Sequence, residues 1–206
     1  QASFAQDRHL IDSIFTGLNV KENDTNKVKT FNLLAYDYLG KDPNTSIYFS
    51  KEALKLSEKL NYGMGMTEAF LQMSSGNINI GKYEEALKNC NEALKIVEQL
   101  LSSENHALRP SLLQQKALLL QNIGIVYWHQ TNYSKSLINH YASLKIREEI
   151  GDKSGISYSL HYIGDIYFGQ SDLSEKTSSK KDYNNKALDQ FFKALKIAED
   201  VDDVKS

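Results

Sequence analysis

Four times in this chain of 206 residues a small side chain is followed by Leu, Lys and then Leu or Ile: Ala53-Leu54-Lys55-Leu56, Ala93-Leu94-Lys95-Ile96, Ser143-Leu144-Lys145-Ile146 and Ala194-Leu195-Lys196-Ile197. The anchors stand 40, 50 and 51 residues apart, and each has another small residue seven places earlier, at Ser46, Ala86, Ser136 and Ala187. Residues seven apart share one helix face, where small side chains admit a neighbouring helix and the following Leu and Ile add apolar area. Self-similarity at such a period restricts the chain to stacked helical units.

A second amphipathic pattern precedes each seam. It reads Phe31-x-x-Leu34-Ala35-x-x-Tyr38, Phe70-x-x-Met73-Ser74-x-x-Asn77, Leu120-x-x-Ile123-Gly124-x-x-Tyr127 and Leu160-x-x-Ile163-Gly164-x-x-Tyr167. Large apolar residues at i and i+3 beside a small one at i+4 make a helical stripe with a notch for the partner helix. Polar turns follow at Gly81-Lys82-Tyr83, Thr131-Asn132-Tyr133 and, after an insertion, Lys181-Asp182-Tyr183. Gly and Pro together make only 13 residues, about half the usual share of roughly 12%, so turns are few. Pro43 and Pro110 suit first helical turns, whose N–H groups lack internal partners.

These paired helices resemble tetratricopeptide repeats (TPRs). The resemblance is closest over 117–150 and 67–100, good over 157–199 and weaker over 28–60. It implies an all-α fold, a right-handed superhelical α-solenoid of TPR hairpins with about four repeats and an N-terminal capping helix. Ser74 and Asn77 depart from the family's Gly and Tyr, and about eleven extra polar residues enter around Ser171 to Lys181 as a loop or a helix extension. The array is assigned to 27–206, after a segment 6–26 that holds a capping helix (Asp7 to Leu18) and a polar linker (Lys21 to Asn26). Capping is what the ends of such arrays require.

Residues 1–5 read as a signal-peptide remnant: Ser3 and Ala5 before Gln6 match a small-residue cleavage site after Ala5,. An arbitrary boundary is the other reading of that start. The acidic tail from Ala198 to Ser206 has no closing cap and fits a longer parent protein.

Composition and motifs exclude several chemistries. A near-neutral balance of 24 Lys and Arg against 26 Asp and Glu gives no field for nucleic acid or an anionic membrane surface,. The longest apolar stretch, Leu118 to Trp128, is interrupted by Gln121 and Asn122 and falls short of the roughly 20 residues a bilayer requires,. The single cysteine, Cys90, builds neither an internal disulfide nor a cysteine zinc site,. No phosphate loop, H-E-x-x-H or G-x-S-x-G motif occurs,. His161 and Asp165, four apart, form the one acid-base pair on a helix, without a third group nearby in sequence. His140 occupies a position that is normally an aromatic packing site and reads as a core histidine with its hydrogen bonds made, while His9, His106 and His129 read as surface or loop residues. No catalytic residue, metal site or cofactor is expected, and neither nucleic acid nor direct membrane contact.

In TPRs the first helices line a concave groove, and the resemblance carries those places onto Asn32 and Tyr36 in the first repeat and Glu68, Leu71, Gln72 and Ser75 in the second. The third repeat contributes Gln121, Asn122, Ile125 and Trp128, and the last Tyr158, His161, Tyr162, Asp165 and Phe168. Lys29 apart, this projected surface has no cation, unlike repeats that clamp a terminal carboxylate. Its aromatics and amides suit a peptide or protein ligand, although packing between repeats has the stronger claim on the rings. Tyr38, Tyr127 and Tyr167 are expected in the core.

The phrase Lys145-Ile-Arg-Glu-Glu-Ile-Gly-Asp-Lys-Ser-Gly resembles bacterial TPR regions of receptor histidine kinases and adenylate cyclases, and the regulatory helices of peptide-pheromone receptors. The first likeness implies a non-catalytic, exported or periplasmic sensor region of a histidine kinase or cyclase. Such a region would be tethered by a downstream transmembrane helix and would form a homodimer through the parent receptor. The alternative is a cytoplasmic TPR scaffold or peptide-pheromone-type regulator.

Overall fold

A computed structural model describes residues 24–103 and 106–203, which form eight α-helices and one 3₁₀ turn with no strand among the described residues. In order these are α1 (Thr25–Tyr38), α2 (Pro43–Lys59), α3 (Gly63–Asn79), α4 (Tyr83–Leu101), the turn His106–Leu108, α5 (Arg109–His129), α6 (Tyr133–Ile150), α7 (Lys153–Asp172) and α8 (Thr177–Asp203). The helices pair as α1/α2, α3/α4, α5/α6 and α7/α8, one hairpin over each segment that carries the repeated pattern. The chain divides at Ser102 into two compact units, with α1 to α4 in the first and α5 to α8 in the second. The expected signal remnant and the capping helix over Asp7 to Leu18 lie outside the described residues. The segment expected as a linker already holds Asp24, which caps α1 by accepting from the Asn26 N–H at 2.9 Å.

Helix ends follow local chemistry. Asp42 caps α2, its carboxylate accepting from the Asn44 N–H at 3.1 Å and the Thr45 hydroxyl at 2.7 Å, and Pro43 fills the first turn where no N–H is needed,. The Thr45 bond holds the Asp42 carboxyl below its ordinary range. Asn132 and Asp152 cap α6 and α7 in the same way. Four helices end alike. Asn61, Gly81, Thr131 and Gly151 adopt positive φ, and the next residue's N–H returns to a carbonyl five places back, at Ser57, Asn77, Tyr127 and Arg147. This left-handed closure uses up otherwise orphaned carbonyls. The insertion is taken up mainly as helix, since α7 runs to Asp172 and α8 starts at Thr177.

All eight seam residues, from Ser46 to Ala194, are buried. Where the seam carries serine, the hydroxyl donates across to the partner helix: Ser46 to the Ala35 carbonyl (2.6 Å), Ser136 to Gly124 (2.8 Å) and Ser143 to Ala117 (2.7 Å). The notches are filled by volume exchange. Equivalent positions on the second helices are Ser50, Cys90, His140 and Phe191, of which Cys90 meets Ser74, His140 meets Gly124 and Phe191 meets Gly164. A Cβ on Gly124 would stand 2.6 Å from His140 Nε2, and one on Gly164 would stand 2.5 Å from the Phe191 ring. Large rings thus accompany glycine and small side chains accompany Ala or Ser, which keeps the packing dense. In the first unit Phe31, Phe49, Val28 and Ala53 form the centre of the core, with Tyr38 leaning on Phe49 at a ring separation of 5.6 Å. In the second unit Leu144, Leu160, Ile163 and Ala194 do so, with Tyr167 packed against them.

Candidate functional site

The projected groove residues fall on the first helices of the hairpins and separate by unit. On α1 and α3 of the first unit, two amides are buried. Asn32 is 1% exposed, and its Nδ2 donates to the Gly65 carbonyl and to Glu68 Oε2, both at 3.3 Å, while its buried Oδ1 accepts no bond. Gln72 is 8% exposed, and no hydrogen bond engages its side chain among the described residues. Burial raises the Glu68 carboxyl above its ordinary range, with the Asn32 bond and the Lys29 charge pulling it back. Tyr36 stands exposed on the same helix as Asn32.

On α5 and α7 of the second unit, Asn122 is buried and Gln121 is half-buried. Trp128 and Phe168 are exposed, Trp128 with its ring edge-on to His129 at 5.0 Å. Tyr158 is 65% exposed and joins His161, Phe191 and Leu195 around a cavity of about 340 Å³ between α7 and α8. Tyr162 goes the other way, stacking on the His140 ring at 5.0 Å and 17°. His161 Nε2 and Asp165 Oδ2 lie 3.5 Å apart with both side chains open to solvent. Burial raises the Asp165 carboxyl and His161 lowers it. Among the described residues no group of three or more His, Cys, Asp or Glu side chains could hold a metal ion.

Two features correct the sequence reading. His140 is fully buried as expected, yet neither ring nitrogen has a hydrogen-bond partner among the described residues. Burial, with the Arg147 charge, pulls its pKa from 6.5 to about 4, so the neutral ring fills the notch,. Arg147, for its part, was not anticipated. It is 3% exposed and reaches from α6 to both neighbours: Nη1 donates to the Gly155 carbonyl and to Ser159 Oγ, and Nη2 to Gln121 Oε1, all at 2.7 Å. Nε sits 3.8 Å from Asp152 Oδ2. Arg147 therefore fixes the face that Gln121 presents. A signal existed, because the equivalent positions in the other repeats are Ser57, Val97 and Ala198, and one charge among them breaks the pattern.

No family model matches the chain, and no curated protein does. Solved structures do. The apo form of RapI superposes with a TM-score of 0.70 at 22% identity, covering 94% of this chain and 63% of RapI. BtubC (BKLC) from P. vanneervenii gives 0.66 at 18% identity, covering 97% and 75%. Aspartyl phosphate phosphatase F from Bacillus subtilis gives 0.65 at 17% identity, covering 85% and 42%.

The fold is TPR-like.

At these identities the likeness extends to the all-α, solenoid-like helical repeat and no further. This chain spans less than two thirds of RapI and under half of phosphatase F. No helix among the described residues is long and apolar enough to cross a membrane.

Proposed function

We propose that this chain is a non-catalytic, peptide-binding TPR-like module that works as a pheromone-type regulator, with the first-helix face as its ligand site. The observation that carries this reading is the pair of buried amides, Asn32 with an unused Oδ1 and Gln72 with no side-chain hydrogen bond among the described residues, on the helix face that also carries exposed Tyr36. An amide both donates and accepts, which is what an extended peptide backbone requires of a partner, and aromatic rings nearby add contact area. In the second unit Gln121 is held in place by Arg147, so its amide is preorganised for the same use,.

His161 and Asp165, the acid-base pair that the sequence singles out, stand 3.5 Å apart with both side chains open to solvent. Of the two readings the sequence offered, the peptide-pheromone-type regulator draws support from the likeness of fold to RapI and aspartyl phosphate phosphatase F. Ligand binding would act by changing the lean of hairpin on hairpin, since each repeat touches only its neighbours.

A display library of random linear peptides panned against the chain tests this. Recovered peptides are expected to lose about tenfold or more in affinity to the Gln72→Ala variant. Failure to recover any peptide, or recovered peptides indifferent to Asn32→Ala and Gln72→Ala, would overturn it.

A further inference from the structure

A second, unassigned site lies on the other side of the first unit. A cavity of about 550 Å³ opens between α2, α3 and α4. Its two long walls are helix stripes: Asn44, Ile47, Tyr48 and Lys51 on α2, and Lys82, Glu85, Lys88 and Asn89 at the start of α4. Phe70, Met73 and Asn77 of α3 and Ile80 just after it complete the lining. Asn44 to Lys51 and Lys82 to Asn89 each span seven residue steps, a trough about 10 Å long with room for about three residues of extended chain.

Three observations point to a ligand. Asn77 is 7% exposed and Asn89 is 8% exposed, both line the cavity, and neither side chain makes a hydrogen bond among the described residues. The amide atoms of both residues stay within reach of solvent, so a ligand that displaces water there meets four polar atoms able to donate and accept. Next, Lys51, Lys82 and Lys88 are exposed and form no ion pair among the described residues, against the single lining carboxylate of Glu85. That local excess of two positive charges stands on a chain whose formal net charge is −2. Finally, Tyr48, Ile47, Phe70 and Met73 line an apolar section between the amides and the lysines. Met is adaptable in shape and suits a surface that receives varied side chains.

We infer that this trough binds an acidic-apolar segment of a protein partner. Its carboxylates meet Lys51, Lys82 and Lys88, an apolar side chain enters between Tyr48, Phe70 and Met73, and its backbone pairs with Asn77 and Asn89. The site uses none of the residues of the first-helix face, so it supplies a second docking surface independent of the one proposed above.

The probe is an array of hexapeptides that alternate Asp or Glu with Leu or Phe, set against counterparts in which Lys replaces every acid. Acidic members are expected to bind and the basic ones to fail, with affinity falling as salt is raised. The double variant Lys51→Glu, Lys88→Glu changes only exposed side chains and should keep the parent melting temperature while losing about tenfold or more in affinity. Asn77→Ala should lose affinity too, and Asn32→Ala with Gln72→Ala should not. Equal binding of acidic and basic members, no binding by either, or loss that follows Asn32 and Gln72 instead would overturn the inference. The last outcome would leave the first-helix face standing as the only peptide site.

Discussion

The His140 ring sits in the space that Gly124 leaves open, so close that a single added Cβ would come within 2.6 Å of Nε2. Tyr162 is stacked on the ring face at 5.0 Å, which restricts how the ring can shift. Gly124→Ala should therefore destabilise the second unit by about 1–3 kcal/mol, the usual cost of overpacking. Thermal unfolding of the two proteins side by side measures this, and an unchanged midpoint would show that the ring has room to move.

A pH dependence follows from the same ring. His140 titrates near 4 in the folded chain against 6.5 for an ordinary histidine, so between those values the unfolded state binds the extra proton. Stability then rises with pH from about 4 to 6.5, and below that window the penalty reaches about 3 kcal/mol. Phe191 already fills the equivalent notch at Gly164 with a phenyl ring. His140→Phe should accordingly flatten the pH profile across that window and raise the melting temperature at pH 5. A variant less stable than the parent at pH 5 would mean that the ring nitrogens find partners after all.

Arg147 and Asp152 should respond very differently to removal. Arg147→Ala strands the Gly155 carbonyl, Ser159 Oγ and Gln121 Oε1 in a buried site, a loss of about 3–5 kcal/mol. Asp152→Asn keeps the helix cap and weakens only an ion pair at 3.8 Å, a change of roughly 1 kcal/mol or less. Denaturant titrations of both variants decide it, with equal losses counting against Arg147 as the organising group.

The exposed rings should separate from the stacked one. Trp128→Ala and Tyr158→Ala remove side chains that stand in solvent and should leave the melting temperature nearly intact, whereas Tyr162→Ala uncovers His140 and should lower it. Peptides recovered by panning would then report whether Trp128 and Tyr158 contribute about 2 kcal/mol each as anchors. A stability loss at Trp128 as large as at Tyr162 would assign that ring to packing.

Much of the fold was legible in the sequence because it is written in local spacing. Seams seven residues long and notches at i+4 need only the helical period to be read, and Ser46, Ala93 and Gly124 stand buried where that period puts them. What escaped depends on partners brought from other helices. Arg147 is bound by Gly155, Ser159 and Gln121, between 8 and 26 residues away, and the unpartnered state of His140 arises from what fails to surround it. The stacking of Tyr162 on His140 likewise follows from the α6 to α7 packing rather than from its own place in the repeat. The amides of Asn77 and Asn89 looked like departures from the family pattern or passed without notice, since only the trough between α2 and α4 gives them a common address.

The central claim is that a peptide backbone takes up the unused hydrogen-bonding capacity of Asn32 and Gln72. Side-chain amide signals of these two residues, assigned in a ¹⁵N-labelled chain and followed while a recovered peptide is titrated in, report on it directly. Both NH₂ pairs should shift with the same saturation curve as the bound peptide. Saturation of the peptide with those two pairs unmoved would contradict the claim.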